Sequence, residues 1–63
     1  MDRIDMIIFN NISNREYDFN KEDYINISKI YKKLVERKFI QDCGCNDIIQ
    51  WYKIIKMYYI SNN

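Results

Sequence analysis

The sequence contains no histidine and no proline, and it has only one glycine, one leucine and two cysteines. Histidine is the most common general base and a frequent metal ligand, so a chain without it lacks the side chain that most catalytic and zinc sites use. Lys53 and Lys56 interrupt the longest apolar run, which leaves nothing near the roughly 18 residues of a membrane span. We therefore expect no catalytic residues, no cofactor, no metal and no membrane segment.

Cys43 and Cys45 flank Gly44, the residue type that takes positive φ without steric cost. A structural zinc site takes four ligands at wider spacings, and a redox pair usually has the Cys-x-x-Cys spacing. Two copies of the chain could together supply four thiolates, but the pattern favours a turn flanked by two free thiols. Residues 1–12 show neither a basic leader nor a small-residue cleavage site, so we expect an intracellular, cytoplasmic protein.

The composition predicts one folded domain spanning residues 1–63. The chain is 48% hydrophobic and 30% charged, which is too rich in core-forming residues for intrinsic disorder. Thirteen isoleucines accompany a single leucine, Leu34, together with eight asparagines and seven lysines. These abundant residue types have AT-rich codons, so the bias is typical of many phage and virus accessory proteins and of many low-GC bacterial ones. It also weakens isoleucine as an indicator of strands.

Two stretches have helical periodicity. The first runs from Lys21 to Phe39, with Asn20 as its N-cap and acidic residues in its first turn. Its predicted apolar stripe comprises Tyr24, Ile27, Tyr31, Leu34 and Val35, with Ile30 beside it. The second helix runs from Asp47 to Ile60, and Asn46 or Asp47 caps it. We expect these two helices to pack antiparallel across the Cys43–Cys45 turn.

The N-terminal segment has two interpretations. Met1, Ile4, Ile8 and Ile12 recur at helical spacing, whereas Ile4, Met6 and Ile8 also alternate as in a strand. A helix is favoured, because a strand would need a second strand to pair with and none is obvious. The predicted fold class is all-α, a small bundle of two to three helices in which the N-terminal segment is a third helix or a short strand.

The Asp47–Ile60 helix is apolar around most of its circumference. We predict that Trp51 and Tyr58 belong to the core, since they lie on one face of this helix together with Ile48 and Ile55. One helix and one short segment are not expected to cover the remaining apolar surface. The predicted partner-binding residues on that surface are Ile49, Tyr52, Lys56, Tyr59 and Ile60.

These patterns lead to one preferred function and two alternatives. The preferred function is a non-catalytic protein–protein interaction module, most specifically a small phage- or virus-encoded inhibitor that sterically blocks a host protein. The first alternative is a small nucleic-acid-binding protein, against which stand a net charge of only +1 and an acidic residue within the basic run. That alternative would use Lys32, Lys33, Arg37 and Lys38. The second alternative is a homodimeric structural protein whose interface is the Trp51 helix.

Overall fold

The chain folds into three helices in a computed structural model that describes residues 3–61, with side chains for residues 3–59. The helices are α1 (Arg3–Ser13), α2 (Lys21–Glu36) and α3 (Ile48–Ser61), and the described residues contain no strand. The predicted all-α class is confirmed, and the N-terminal segment is a helix. Met1, which was assigned to its apolar stripe, lies outside the described residues.

The core lies where the three helices meet. It consists of Phe9, Ile12, Ile27, Ile30, Tyr31, Leu34, Tyr52 and Ile55. Four of these residues belong to α2 and lie on its predicted stripe or, for Ile30, beside it, because side chains three and four positions apart share one face of a helix. Tyr24 was predicted on the same stripe but is exposed, and its ring lies beside Trp51 with centroids 5.9 Å apart.

Local hydrogen bonds explain where α2 begins and ends. Asn20 caps it as predicted, with the backbone N–H of Asp23 donating to Asn20 Oδ1 at 2.8 Å and the Asp23 carboxylate accepting in return from the backbone N–H of Asn20. The predicted end at Phe39 is wrong. The helix ends at Glu36 because Lys38 has φ +59°, and the backbone N–H of Phe39 donates to the carbonyl of Leu34 at 2.9 Å. This is the Schellman arrangement, with lysine in the position that glycine usually takes.

The predicted antiparallel packing of α2 and α3 is wrong. Tyr24 near the start of α2 contacts Trp51 near the start of α3, whereas Phe39 beyond the end of α2 stacks on Tyr58 near the end of α3. Aromatic contacts therefore occur in the same order along both helices. The connection of residues 37–47 is long enough to run back along α2, where Cys43 is hydrogen-bonded to Tyr31 in the middle of that helix.

Helix α1 packs against α2 in the opposite direction. Lys33 Nζ near the end of α2 lies 3.4 Å from a carboxylate oxygen of Asp5 near the start of α1. At the other end, Arg15 beyond the end of α1 forms an ion pair with Asp23 at the start of α2. The loop of residues 14–20 joins the two helices and lies next to α3, which determines how much of α3 is exposed.

Candidate interaction surface

Tyr52 belongs to the core, so its predicted exposure to a partner is wrong. Only 4% of the residue is exposed. Its ring stacks on Phe9 with centroids 5.1 Å apart and also contacts Tyr17 and Phe19 at 5.3 and 5.2 Å. The two loop aromatics turn back onto α3 because Glu16 and Tyr17 have positive φ values of 50° and 70°. The prediction counted only helices as cover and missed the loop.

The other predicted partner-binding residues differ in how exposed they are. Tyr59 is half-buried beside Phe9, with ring centroids 6.1 Å apart. Ile49 and Lys56 are exposed, as the prediction requires. The side chain of Ile60 lies outside the described residues. The structure therefore brings together only part of the predicted set, and the exposed part lies on the side of α3 away from the core.

This outer side of α3 forms a continuous surface, which we call the α3 stripe, consisting of Ile49, Lys53, Lys56 and Met57. At 100° per residue these four positions fall within about 100° of the helix circumference. Met57 is 68% exposed and Ile49 38% exposed, and the two lysines lie between them in sequence. Helix α3 contains no aspartate or glutamate, so the stripe is apolar and positively charged. Lys53 and Met57 were not predicted as site residues, although their spacing from Ile49 indicates the shared face.

Comparison of the chain with protein-family models, curated proteins and solved structures gives no match. The α3 stripe must therefore be interpreted from its own chemistry. None of the helices in the described residues combines the length and apolar character that crossing a membrane requires. Within the same residues, no three histidine, cysteine, aspartate or glutamate side chains are grouped so as to hold a metal ion.

Some of the basic residues predicted to bind nucleic acid already interact with other residues of the chain. Lys33 pairs with Asp5, and Arg37 also has an interaction partner. Lys38 takes the left-handed backbone conformation that ends α2. Lys32 is exposed beside Asp42, and both residues line a surface groove of about 260 Å³. Part of this predicted surface therefore contributes to the fold itself.

The same groove is bounded by the loop that contains the cysteines, where the prediction of free thiols is wrong. Cys43 and Cys45 form a disulfide. Gly44 between them has φ +70°, as expected for the turn, and its backbone N–H donates to Asp42 Oδ1 at 3.0 Å. The indole N–H of Trp51 donates to the carbonyl of Cys45 at 3.0 Å. The loop is thus attached to α3 through the only tryptophan of the chain.

Tyr31 attaches the same loop to α2. Its hydroxyl donates to Asp42 Oδ1 at 2.9 Å and accepts from the backbone N–H of Cys43 at 2.8 Å. Burial raises the pKa of Tyr31 above its ordinary value near 10, and the hydrogen bond to the Asp42 carboxylate adds to the increase. The backbone N–H of Gly44, followed by the Tyr31 hydroxyl, lowers the pKa of Asp42. Each group is therefore held in the protonation state that it has at neutral pH.

These pKa shifts predict how the stability of the loop depends on pH. Raising the pH through the elevated pKa of Tyr31 removes the proton that it donates, so the free energy of unfolding should decrease above about pH 10. Tyr31→Phe removes both hydrogen bonds of the hydroxyl, so it is expected to cost about 2 kcal/mol at neutral pH and to reduce that alkaline decrease. Urea unfolding at neutral and alkaline pH measures both effects. An equally steep alkaline decrease in Tyr31→Phe would assign the effect to other groups.

Proposed function

We propose that this protein is a non-catalytic protein-binding module that docks through the α3 stripe onto a partner protein and blocks the covered surface sterically. The observation that carries the proposal is the exposure of Met57 and Ile49 on a helix whose opposite side is fixed in the core. The partner surface that fits is an apolar groove with aspartate and glutamate at its rim. Helix docking into such grooves is a common mode of recognition, in which apolar anchors spaced along one helix face enter the groove.

The balance of charge and apolar area favours a protein over a nucleic acid. Phosphate backbones are bound mainly by dense arrays of lysine and arginine, and the stripe has two lysines beside two large apolar side chains. Lys56 also lies over the Tyr52 ring, with Nζ 6.0 Å from the centroid, so one of the charges is positioned by the core. Oppositely charged residues at the rim of a protein interface accelerate association and select the partner.

The AT-rich codon bias supports a narrower version of the proposal. This composition is typical of many phage and virus accessory proteins and of many low-GC bacterial ones, and steric inhibition of a host protein requires no catalytic group. We propose that role for this chain. It is supported by the composition and by one exposed helix face.

The test is a comparison of matched variants in capture from cells of the source, with affinities then measured for the purified partner. Lys53→Glu with Lys56→Glu should weaken binding at least about tenfold, because like charges would face each other at the rim. Met57→Glu should have a similar effect. The controls are Lys21→Glu with Lys29→Glu, which makes the same charge change on α2, and Ile4→Glu, which alters an exposed isoleucine on α1. Both controls should bind like the unmodified chain.

Other outcomes would overturn the proposal. A partner lost equally in Lys21→Glu with Lys29→Glu and in Lys53→Glu with Lys56→Glu would mean that total charge, not the stripe, determines binding. Binding to duplex DNA at low salt with a steep loss as salt increases would favour the nucleic-acid alternative. Binding only to vesicles of anionic lipid would identify a membrane surface instead. A dimer in sedimentation that Met57→Glu dissociates would assign the stripe to self-association.

A further inference from the structure

The disulfide between Cys43 and Cys45 lies between two attachment points of the loop. The backbone N–H of Cys43 is bonded to Tyr31 of α2, and the carbonyl of Cys45 is bonded to the Trp51 indole of α3. The Tyr31 and Trp51 rings are themselves stacked, with centroids 5.6 Å apart and planes 22° apart. The covalent bond between the cysteines therefore holds together the two loop residues that contact these stacked rings.

The two cysteine residues differ in exposure. Cys43 is exposed, whereas Cys45 is half-buried beside the groove. The backbone N–H of Cys45 donates to Cys43 Sγ at 3.2 Å, an interaction that favours a thiolate on Cys43 in the reduced form. Exposure makes Cys43 the cysteine that thiols from solution reach, and thiolate stabilisation makes it the cysteine that attacks a small disulfide in the reverse, oxidising direction.

We propose that the Cys43–Cys45 pair is a site of reversible thiol–disulfide exchange that takes small thiols, and that its oxidation state sets the packing of Trp51 against the loop. The proposal is independent of partner binding by the α3 stripe. It rests on the exposure of Cys43 and on the hydrogen bonds that join the loop to both helices.

The exchange balances as a two-electron reaction. The thiolate of a small thiol attacks Cys43 Sγ, the bond between the two protein sulfurs breaks, and Cys45 leaves as a thiolate. A second thiolate then attacks the small-molecule sulfur of the mixed disulfide and releases the Cys43 thiolate. Two small thiols are oxidised to one small disulfide, and the protein disulfide is reduced to two thiols, which receive the two protons.

Little of the fold is expected to depend on this disulfide. The loop closed by the bond spans only two positions in sequence, and the stabilisation that a disulfide gives through chain entropy is smallest for short loops. The reduced protein should therefore keep its helices, with a melting temperature lower by only a few degrees. The change should be confined to the loop, the groove and Trp51.

The first experiment equilibrates the full chain with millimolar mixtures of reduced and oxidised glutathione, then quenches with iodoacetamide for mass spectrometry. Both oxidation states should be populated within this range, and Trp51 emission should change in step with the reduced fraction while the far-ultraviolet circular dichroism stays constant. The double variant Cys43→Ser with Cys45→Ser should emit like the reduced protein and should not respond to glutathione.

The second experiment compares the two single thiols. In Cys45→Ser, the remaining thiol of Cys43 should react with oxidised glutathione about tenfold faster than the thiol of Cys45 in Cys43→Ser. Circular dichroism of both variants establishes that each is folded. Any one of three results would overturn the proposal. The disulfide could stay closed in fully reduced glutathione, Trp51 emission could stay unchanged on reduction, or the two thiols could react at equal rates.

Discussion

Tyr52→Ala is expected to cause the largest loss of stability, roughly 3–5 kcal/mol. The ring is almost completely buried and contacts Phe9, Tyr17 and Phe19, which come from α1 and from the loop that follows it. Removing a buried aromatic ring costs roughly 3–5 kcal/mol. A chain of 63 residues has a free energy of unfolding of roughly 3–9 kcal/mol, so the substitution removes a large fraction of it. Circular dichroism with urea titration measures the loss.

Two matched variants determine whether the lost packing of the Tyr52 ring causes this loss of stability. Tyr52→Phe keeps the ring and should remain within about 1 kcal/mol of the unmodified protein. Met57→Ala removes a large apolar side chain from the exposed side of the same helix and should cost less than about 0.5 kcal/mol. If Tyr52→Ala were as stable as Met57→Ala, the ring would not be enclosed in solution and Tyr52 would return to the candidate interaction surface.

Asp23→Ala is expected to cause the second largest loss, about 3 kcal/mol. Asp23 is 3% exposed, and its carboxylate pairs with Arg15 and accepts a hydrogen bond from the backbone N–H of Asn20 at 3.2 Å. One substitution therefore removes half of the capping box of α2 and the ion pair that fixes the end of the preceding loop. Because that loop carries Tyr17 and Phe19 to α3, the loss extends beyond the helix start.

Glu22→Ala is the control, since Glu22 has the same charge in the same helix turn but is exposed. Only its interaction with the helix dipole is lost, which costs roughly 0.3–1 kcal/mol. A double-mutant cycle of Arg15→Ala with Asp23→Ala should give a coupling energy of about 1 kcal/mol or more. Additive effects of the two substitutions would show that the ion pair does not hold the loop.

Features that depend on neighbouring residues could be predicted from the sequence. The periodicity of Ile27, Tyr31 and Leu34 indicates both the helix and its buried side, and Asn20 and Asp47 are recognisable as residues that cap helix starts. The end of α2 was harder to predict, because Lys38 adopts a left-handed backbone conformation that glycine or asparagine usually takes.

Features that depend on distant residues were predicted poorly. Tyr17 and Phe19 lie among asparagine and aspartate, and composition alone assigns them to a solvated loop, although their rings cover Tyr52. Nothing local indicates that Cys43 reaches Tyr31, a contact that the connection makes as it runs back along α2. The α3 stripe was predicted in part because Ile49 and Lys56 oppose the core side of the helix, a relation that periodicity does provide.

The direction of α3 also bears on the entropy of loop closure. An antiparallel helix pair usually needs a connection of two to five residues, whereas the chain uses eleven, residues 37–47. Closing the longer loop costs only about 1 kcal/mol more, because the cost grows with the logarithm of length. The two hydrogen bonds of the Tyr31 hydroxyl, each worth about 1 kcal/mol, are enough to offset it. One phenol group in the middle of α2 thereby compensates for the entropic cost of the longer connection.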